Sequence, residues 1–321
     1  MKTPSARSSR ESELHAVTLM SAVDVHRPNL IVASIRALRP KQWTKNGVLL
    51  VPLLFAKSIF AQGLAMRALL GVGIFSLLAS GVYVVNDWFD REKDKLHPKK
   101  RLRPIAAGHL SGTAAIGLVI LCWSVAGVGA WWLSQSFAMV LLSYLVLQAL
   151  YTSVLKQMVL LDIMAIALGF ILRVVAGAEA IDVVVSNWLF LCTLLGALFL
   201  GFAKRRAELS SLEDASSHRA SLADYTVPLL DQMMSICAAS IILAYGLYTV
   251  SKETIEHVGS DRLKFTVPLV VYGVFRYLFL VHKRGAGGAP EEVLLSDAPL
   301  LIDIALILAV SGWALYGGRV T

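Results

Sequence analysis

The nine residues NDWFDREKD, at positions 86–94, follow directly on a long apolar segment and lead into a basic stretch. Asp87, Asp90 and Asp94 are spaced so that a continuing helix would hold all three carboxylates within about 60° of one face. Carboxylates on one face repel each other unless a cation lies between them, and hard oxygen ligands of this kind suit Mg²⁺. We therefore expect a magnesium site at the three aspartates, supported by Asn86. A solvated loop of mixed charge is the alternative.

The basic residues after this stretch can complete such a site. Guanidinium and ammonium groups bind phosphate oxygens, so Lys99, Lys100, Arg101 and Arg103 could hold the phosphates that a metal leaves free. Basic residues also collect at the cytoplasmic ends of membrane helices, and this simpler interpretation stays open for them.

The composition indicates an all-α integral membrane protein. The 321 residues are 56% hydrophobic and 16% charged, and the mean hydropathy is +0.66. Apolar segments long enough to cross a bilayer recur along the chain. They predict nine transmembrane helices at about 46–61, 68–86, 112–133, 137–154, 160–181, 187–204, 229–250, 265–281 and 299–316. An amphipathic helix from about Ile31, interrupted at Pro40, precedes the first of them.

The chain is predicted to hold one membrane domain, residues 31–321, after a polar tail. Residues 1–30 are rich in Ser and Arg and are expected to be a disordered cytoplasmic tail. Cys122, Cys192 and Cys237 lie in predicted membrane helices at unrelated spacings, so we expect packing roles for them and no disulfide.

The distribution of basic residues predicts the orientation. With the amino terminus in the cytoplasm, that side carries 22 of the 30 Lys and Arg residues and the opposite side carries 6. This bias predicts that the amino terminus lies in the cytoplasm and that the polar clusters face it. We expect the membrane to be the plasma membrane. The net charge of +8 is then mostly a property of the topology, and no nucleic-acid-binding motif accompanies it.

Further polar side chains gather at the predicted cytoplasmic helix ends. Together they would form a ring of mixed charge above an apolar bundle, which suits a substrate with a diphosphate head and an apolar partner in the membrane. The additional binding candidates are Lys41, Lys45, Tyr151, Lys156, Asp162, Lys204, Arg205, Arg206, Glu208 and Tyr225.

Arg173 lies near the middle of the predicted fifth span. A lone cation there costs on the order of 3 kcal/mol, so it must face a polar cavity or a counter-ion. Asp162, eleven residues earlier, and Glu179 are the candidate partners, and Arg173 is itself a candidate for substrate binding.

The pattern Asn-Asp-x-x-Asp-x-x-x-Asp at the end of the second of nine helices resembles the UbiA superfamily of intramembrane prenyltransferases. The resemblance covers residues 36–317 and includes Tyr151, Leu155 and Lys156. Ordinary members carry a second aspartate-rich segment after the sixth helix, which binds a second Mg²⁺ with the prenyl diphosphate. This sequence has KRRAE there, at 204–208.

That departure, with LRPKQWTKN at 38–46, Tyr225 and LDQ at 230–232, resembles the branch that transfers phosphoribose to decaprenyl phosphate for cell-wall arabinan synthesis. The resemblance implies 5-phosphoribosyl 1-diphosphate as donor, a polyprenyl phosphate as acceptor and Mg²⁺ as cofactor. The extra cations would hold the additional phosphate of this donor.

Two other functions stay open. An ordinary prenyltransferase of the superfamily, acting on an aromatic acceptor, would use the same aspartates. A transporter would use Asp162 and Arg173 as part of a substrate path. Glycines such as Gly71 and Gly127 allow close helix contact, within one chain or in a homo-oligomer.

Overall fold

The computed structural model describes residues 29–56, 62–98, 100–211, 222, 224–284, 287–288, 293 and 296–317. Over these residues the regular structure is helical, with no β-strand. Eight helices are long and apolar enough to cross a membrane. The predicted all-α membrane fold is therefore confirmed for this part of the chain, whereas most of the predicted tail, residues 1–28, lies outside it.

The α-helices are numbered in chain order over the described residues. Four are short: α1 Leu30–Ala37, α2 Val51–Phe55, α4 Arg91–Leu96 and α10 Lys252–Val258. The long ones are α3 Leu64–Phe89, α5 Gly112–Leu133, α6 Gln135–Ser153, α7 Leu161–Ile181, α8 Asn187–Ser211, α9 Val227–Val250, α11 Val267–Arg284 and α12 Ala298–Tyr316.

The predicted first crossing, residues 46–61, has a different form, so a count of nine spans is not confirmed. Pro40–Leu50 is a 3₁₀-helix of 11 residues that continues into α2, and residues 57–61 lie outside the described part. The 3₁₀ form is uncommon beyond about four residues, so this segment needs support from its neighbours. The predicted amphipathic helix before Pro40 is confirmed as α1.

α3 and α7 form the centre of the bundle. In their most apolar stretches 56% and 61% of the residues are buried, compared with 22–28% in the other six crossing helices. One apolar core joins α3 and α7 to α5 and α6 around Phe75 and Phe137. A second joins α7 to α8, α9, α11 and α12 around Ile163 and Met234. Because α7 contributes to both cores, it holds the two halves together.

The 3₁₀-helix is held against both central helices. The Asn46 amide donates to the Ser76 hydroxyl at 2.9 Å, and the Trp43 indole donates to the Ser80 hydroxyl at 3.0 Å. On the other side, Gly177 of α7 lets the backbone carbonyl of Leu49 approach so closely that a Cβ would overlap it. These contacts fix where the chain enters the bundle.

Candidate active site

The segment that carries the three aspartates bends at Asp90. α3 ends at Phe89, and α4 begins at Arg91. Arg91 contributes to this break, because its guanidinium donates to the carbonyl oxygen of Trp88 at 3.2 Å and lies over the Trp88 ring. The helix is therefore interrupted between Asp87 and Asp94, although the backbone N–H groups of Asp90 and Asp94 still donate to the carbonyl oxygens four residues earlier, at 2.9 and 2.8 Å.

The carboxylates of Asp87 and Asp94 share a cation at this bend. Arg103 Nη1 donates to Asp87 Oδ1 at 3.1 Å and to Asp94 Oδ2 at 2.6 Å. Arg39 donates to the same oxygen of Asp87. The two aspartates are only 2% and 3% exposed, whereas each arginine side chain is 27% exposed. Two buried negative charges are thus balanced by two cations that reach the surface.

Asp90 and Asn86 face the carboxyl-terminal end of α6 instead. Lys156 Nζ lies 4.0 Å from Asp90 Oδ1, and the Thr152 hydroxyl donates to Asn86 Oδ1 at 3.0 Å. Tyr151 on the same turn lies within electrostatic reach of Arg205. The end of α6 therefore lies between the aspartate segment and a second polar cluster.

The bend fits a hard divalent cation, although no three His, Cys, Asp or Glu side chains converge as metal ligands among the described residues. One cationic nitrogen, Arg103 Nη1, already bridges oxygens of Asp87 and Asp94. Mg²⁺ binds one or two carboxylates and completes its coordination with water and phosphate oxygens. Asp87 and Asp94 could hold it in this way, with Asp90 on the same bend.

The second cluster lies where α7 begins and α8 ends. Arg205 Nε donates to Asp162 Oδ2 at 2.7 Å, and its Nη1 donates to Glu208. The Tyr225 hydroxyl donates to Asp162 Oδ1 at 3.0 Å and accepts the backbone N–H of Leu160 at 2.7 Å. Burial raises the pKa of Tyr225 to about 12, so its hydroxyl stays protonated and remains a donor at neutral pH. The Arg205 guanidinium is thus enclosed by carboxylates of its own chain.

Arg206 belongs to a neighbouring ion pair. Its guanidinium binds Asp231, whose Oδ1 also lies 3.2 Å from His282 Nε2. Lys204 on the same turn is half-buried. These contacts join the ends of α8 and α11 to the start of α9, so the second cluster is a network between helices.

Arg173 contacts neither Asp162 nor Glu179. Its Nε donates to Asn46 Oδ1 at 2.9 Å, Nη1 to the Gly169 carbonyl at 2.8 Å and Nη2 to the Tyr144 hydroxyl at 3.0 Å. Its guanidinium also lies over three aromatic rings. Within the described residues the buried Arg173 guanidinium is therefore held by uncharged oxygen atoms and by the faces of aromatic rings, and not by a carboxylate.

Several predicted binding residues lie at the surface near the bend. Lys41 is exposed and Lys45 is half-buried on the 3₁₀-helix. Arg101 is exposed, and Lys99 lies outside the described residues. These side chains share one end of the bundle with both clusters. We call this end the aspartate face: it is where α3, α6 and α8 end and α7 and α9 begin.

An apolar cavity of about 350 Å³ begins beside Arg173. Its lining includes Val48, Phe170, Trp188 and Tyr248, and the Phe170 ring contacts the Arg173 guanidinium. A cavity of about 470 Å³ shares Trp188 and Tyr248 with it and extends past α10 at the opposite end. The bundle thus offers apolar space beneath a charged face.

Arg39, Asn46 and Tyr144 were not among the predicted binding or metal-ligating residues. Arg39 has left-handed backbone angles, with φ 52°, which a residue other than glycine adopts only at some cost. A residue before proline is disfavoured in the α region, so Pro40 did signal the break before it. No sequence pattern indicated that Arg39 would reach Asp87, because that contact joins residues 48 apart.

A bundle of membrane-crossing helices with carboxylates and cations at one end, above apolar cavities, has the form expected of an intramembrane transferase. Residues 48–286 match the UbiA prenyltransferase family, and the chain belongs to that family. Its resemblance to this family, and to the branch that acts on decaprenyl phosphate, is confirmed by its relatives.

One relative is the decaprenyl-phosphate phosphoribosyltransferase of Mycolicibacterium smegmatis, 32% identical over 90% of this chain and 94% of its own. Another is the protein of the same name from Corynebacterium glutamicum, 34% identical over 85% and 84%. Among solved structures, a UbiA homologue from Archaeoglobus fulgidus bound to GPP and Mg²⁺ matches with a TM-score of 0.67 at 18% identity, over 88% of this chain and 99% of that one. This last similarity shows a shared fold.

Proposed function

We propose that this protein transfers 5-phosphoribose from 5-phosphoribosyl 1-diphosphate to a polyprenyl phosphate. The observation that carries the proposal is the 32% identity, along 90% of the chain, to a decaprenyl-phosphate phosphoribosyltransferase. The second cluster supports it, because KRRAE at 204–208 replaces a second aspartate-rich segment with cations. A donor with a separate 5-phosphate needs more positive charge than a prenyl diphosphate does, and Lys204 is the cation of this segment that would supply it.

The donor diphosphate would bind at the bend. Asp87 and Asp94, with Asp90 and Asn86 beside them, would hold Mg²⁺, which stabilises the charge that develops on a leaving diphosphate. Their burial in a bundle of low dielectric strengthens every such interaction.

Cations on the aspartate face would bind the donor and acceptor phosphates. The 3₁₀-helix contributes Lys41 and Lys45, and the connections beyond α4 and α6 contribute Arg101, Arg103 and Lys156. Lys204 approaches from α8. Arg205 and Arg206 on the same turn act through Asp162, Glu208 and Asp231, which position that turn and Tyr225 beside it.

The acceptor lipid would lie in the apolar cavities, with its phosphate toward the aspartate face. A phosphate oxygen attacks the anomeric carbon of ribose, the bond from that carbon to the diphosphate oxygen breaks, and the diphosphate leaves with the electron pair. A phosphate monoester is already ionised at neutral pH, so the residues need only align the two substrates and no strong base is required. The family resemblance implies inversion at the anomeric carbon.

The cellular setting follows from the same proposal. The bias of basic residues toward one side supports a cytoplasmic aspartate face, on the side where a soluble nucleotide precursor such as 5-phosphoribosyl 1-diphosphate is available. The membrane is then the plasma membrane, and the lipid product would supply pentose for cell-wall arabinan.

A transfer assay in detergent tests the proposal. Radiolabelled 5-phosphoribosyl 1-diphosphate, Mg²⁺ and a polyprenyl phosphate are incubated with wild type, Asp87→Ala or Arg205→Ala. We expect label in the lipid phase, and its loss on chelation and in Asp87→Ala. Folded wild-type protein that transfers no label, but joins a prenyl diphosphate to an aromatic acceptor, would replace this function with ordinary prenyl transfer.

A further inference from the structure

The bend already contains a cation at the position where two carboxylate oxygens meet. Arg103 Nη1 lies 3.1 Å from Asp87 Oδ1 and 2.6 Å from Asp94 Oδ2. The two aspartates are buried and cannot turn to solvent for neutralisation. A buried carboxylate without a partner is strongly destabilising, so this pair must either keep a cation or take up a proton whenever the metal is absent.

The charge of the resting site is balanced. Asp87 and Asp94 contribute two negative charges, and Arg39 and Arg103 contribute two positive charges through direct contacts. A divalent cation arriving alone would leave this cluster with two excess positive charges. The same cation arriving with a diphosphate brings its own negative charge, and that anion can also take up a displaced guanidinium.

Of the two arginines, Arg103 is the one whose side chain can move away from Asp87 and Asp94. It lies in the connection between the 3₁₀-turn Lys100–Leu102 and α5, and its side chain is about a quarter exposed. Among the described residues its side chain makes hydrogen bonds to Asp87 and Asp94 alone, both through Nη1. Arg39 is more constrained, because its guanidinium lies 5.4 Å from the centre of the Tyr83 ring and its backbone joins α1 to the 3₁₀-helix.

We propose that Arg103 is an exchangeable counter-ion: it occupies Asp87 and Asp94 in the resting protein, competes with Mg²⁺ for them, and moves onto the diphosphate when metal and donor bind together. This proposal deepens the proposed function and rests on it for the diphosphate donor. Arg103 then contacts the donor itself and couples the two binding events. The bare metal binds weakly, and the metal with its diphosphate binds well.

Mn²⁺ binding to the full chain in detergent, followed by electron paramagnetic resonance of the free ion, tests the exchange. Wild type, Arg103→Gln, Arg103→Lys and Lys93→Gln are titrated with and without inorganic diphosphate. Lys93 is the matched control, because it is exposed on α4 beside Asp94 and its replacement removes the same charge.

Without diphosphate, Arg103→Gln should bind Mn²⁺ about tenfold more tightly than wild type, because the competing cation is gone. Arg103→Lys should lie between the two, since a hydrated ammonium bridges carboxylates less well than a guanidinium. Added diphosphate should tighten Mn²⁺ binding strongly in wild type and much less in Arg103→Gln. Lys93→Gln should follow wild type in both titrations.

A folded Arg103→Gln that binds bare Mn²⁺ no more tightly than wild type overturns the exchange, as does equal tightening in Lys93→Gln. If Arg103→Gln does not fold, Arg103→Lys is used instead, and it must bind Mn²⁺ without diphosphate more tightly than wild type does. Replacing inorganic diphosphate with 5-phosphoribosyl 1-diphosphate separates the two proposals. If inorganic diphosphate couples to Mn²⁺ and the ribosyl compound does not, the exchange is supported and the donor assignment fails.

Discussion

Asp162 and Arg205 form an ion pair of 2.7 Å in which neither side chain is more than 1% exposed. The pair joins the first turn of α7 to the last turns of α8, and Tyr225 completes it from the segment before α9. Three helices are thus tied at the aspartate face through one carboxylate. Removing one partner leaves the other charged and buried, which is costlier than removing both.

We expect Asp162→Leu to lower the free energy of unfolding by about 3–5 kcal/mol, because the Arg205 cation loses the buried one of its two carboxylate partners and keeps only Glu208, which is 31% exposed. The double variant Asp162→Leu/Arg205→Met should recover most of this loss. Thermal unfolding in detergent measures both. As control, Lys252→Ala breaks an exposed pair with Glu256 and should leave the midpoint unchanged. A double variant less stable than either single one would contradict this account.

Asp90→Asn should lower kcat/KM for transfer by about a hundredfold, because it removes a carboxylate at the proposed donor site. Glu92→Gln is the matched change two residues away. Glu92 is exposed, and its hydrogen bond to Lys95 keeps the pKa of Glu92 below its usual range. It faces solvent, so its loss should change kcat/KM by less than about twofold. Equal losses in both variants would reject a specific role for Asp90.

Tyr225 should make stability depend on pH at the alkaline end. Its pKa is raised to about 12, chiefly by burial, whereas an unfolded tyrosine titrates near pH 10. The stability from the neutral hydroxyl is therefore complete below pH 10 and declines as pH rises toward 12. Thermal midpoints of wild type and Tyr225→Phe should converge over this range. A constant difference between them would show that the hydroxyl does not titrate as proposed.

Gly177→Ala should displace the 3₁₀-helix, because the new Cβ overlaps the carbonyl oxygen of Leu49. Overpacking of this kind costs about 1–3 kcal/mol, and transfer activity should fall as well, since Arg39 precedes the same segment. Gly246→Ala is the control: its Cβ meets no atom within 4 Å. Unfolding midpoints and activity of both variants decide whether the close approach at Gly177 matters.

Much of the architecture could be predicted from hydropathy alone. Eight of the nine predicted crossings correspond to long helices, because about twenty apolar residues specify a membrane span with little reference to the rest of the chain. The exception, residues 46–61, depends on tertiary contacts. Its 3₁₀ form is held by Ser76, Ser80 and Gly177, residues on helices that come later in the sequence.

The sequence predicted which residues form the candidate site much better than it predicted which of them contact each other. Spacing identified Asp87, Asp90 and Asp94, yet it assumed an unbroken helix and did not indicate that Asp90 would lie near Lys156. Spacing also suggested Asp162 as the partner of Arg173, because both lie on α7. In the structure Asp162 pairs with Arg205 of α8, and Arg173 contacts Asn46, because the packing between helices determines which charged groups meet.

The backbone conformation of Arg39 and the contact made by its side chain favour different residue types at this position. Its left-handed angles favour glycine or asparagine, whereas the guanidinium is needed at Asp87. A choice based on the backbone angles alone would place glycine at this position and gain a relaxed turn. It would also lose one of the two charges that balance the buried aspartates. Consensus or computational stabilisation of this chain should therefore leave position 39 unchanged, because the relaxed turn would leave the buried Asp87 with one counter-ion fewer.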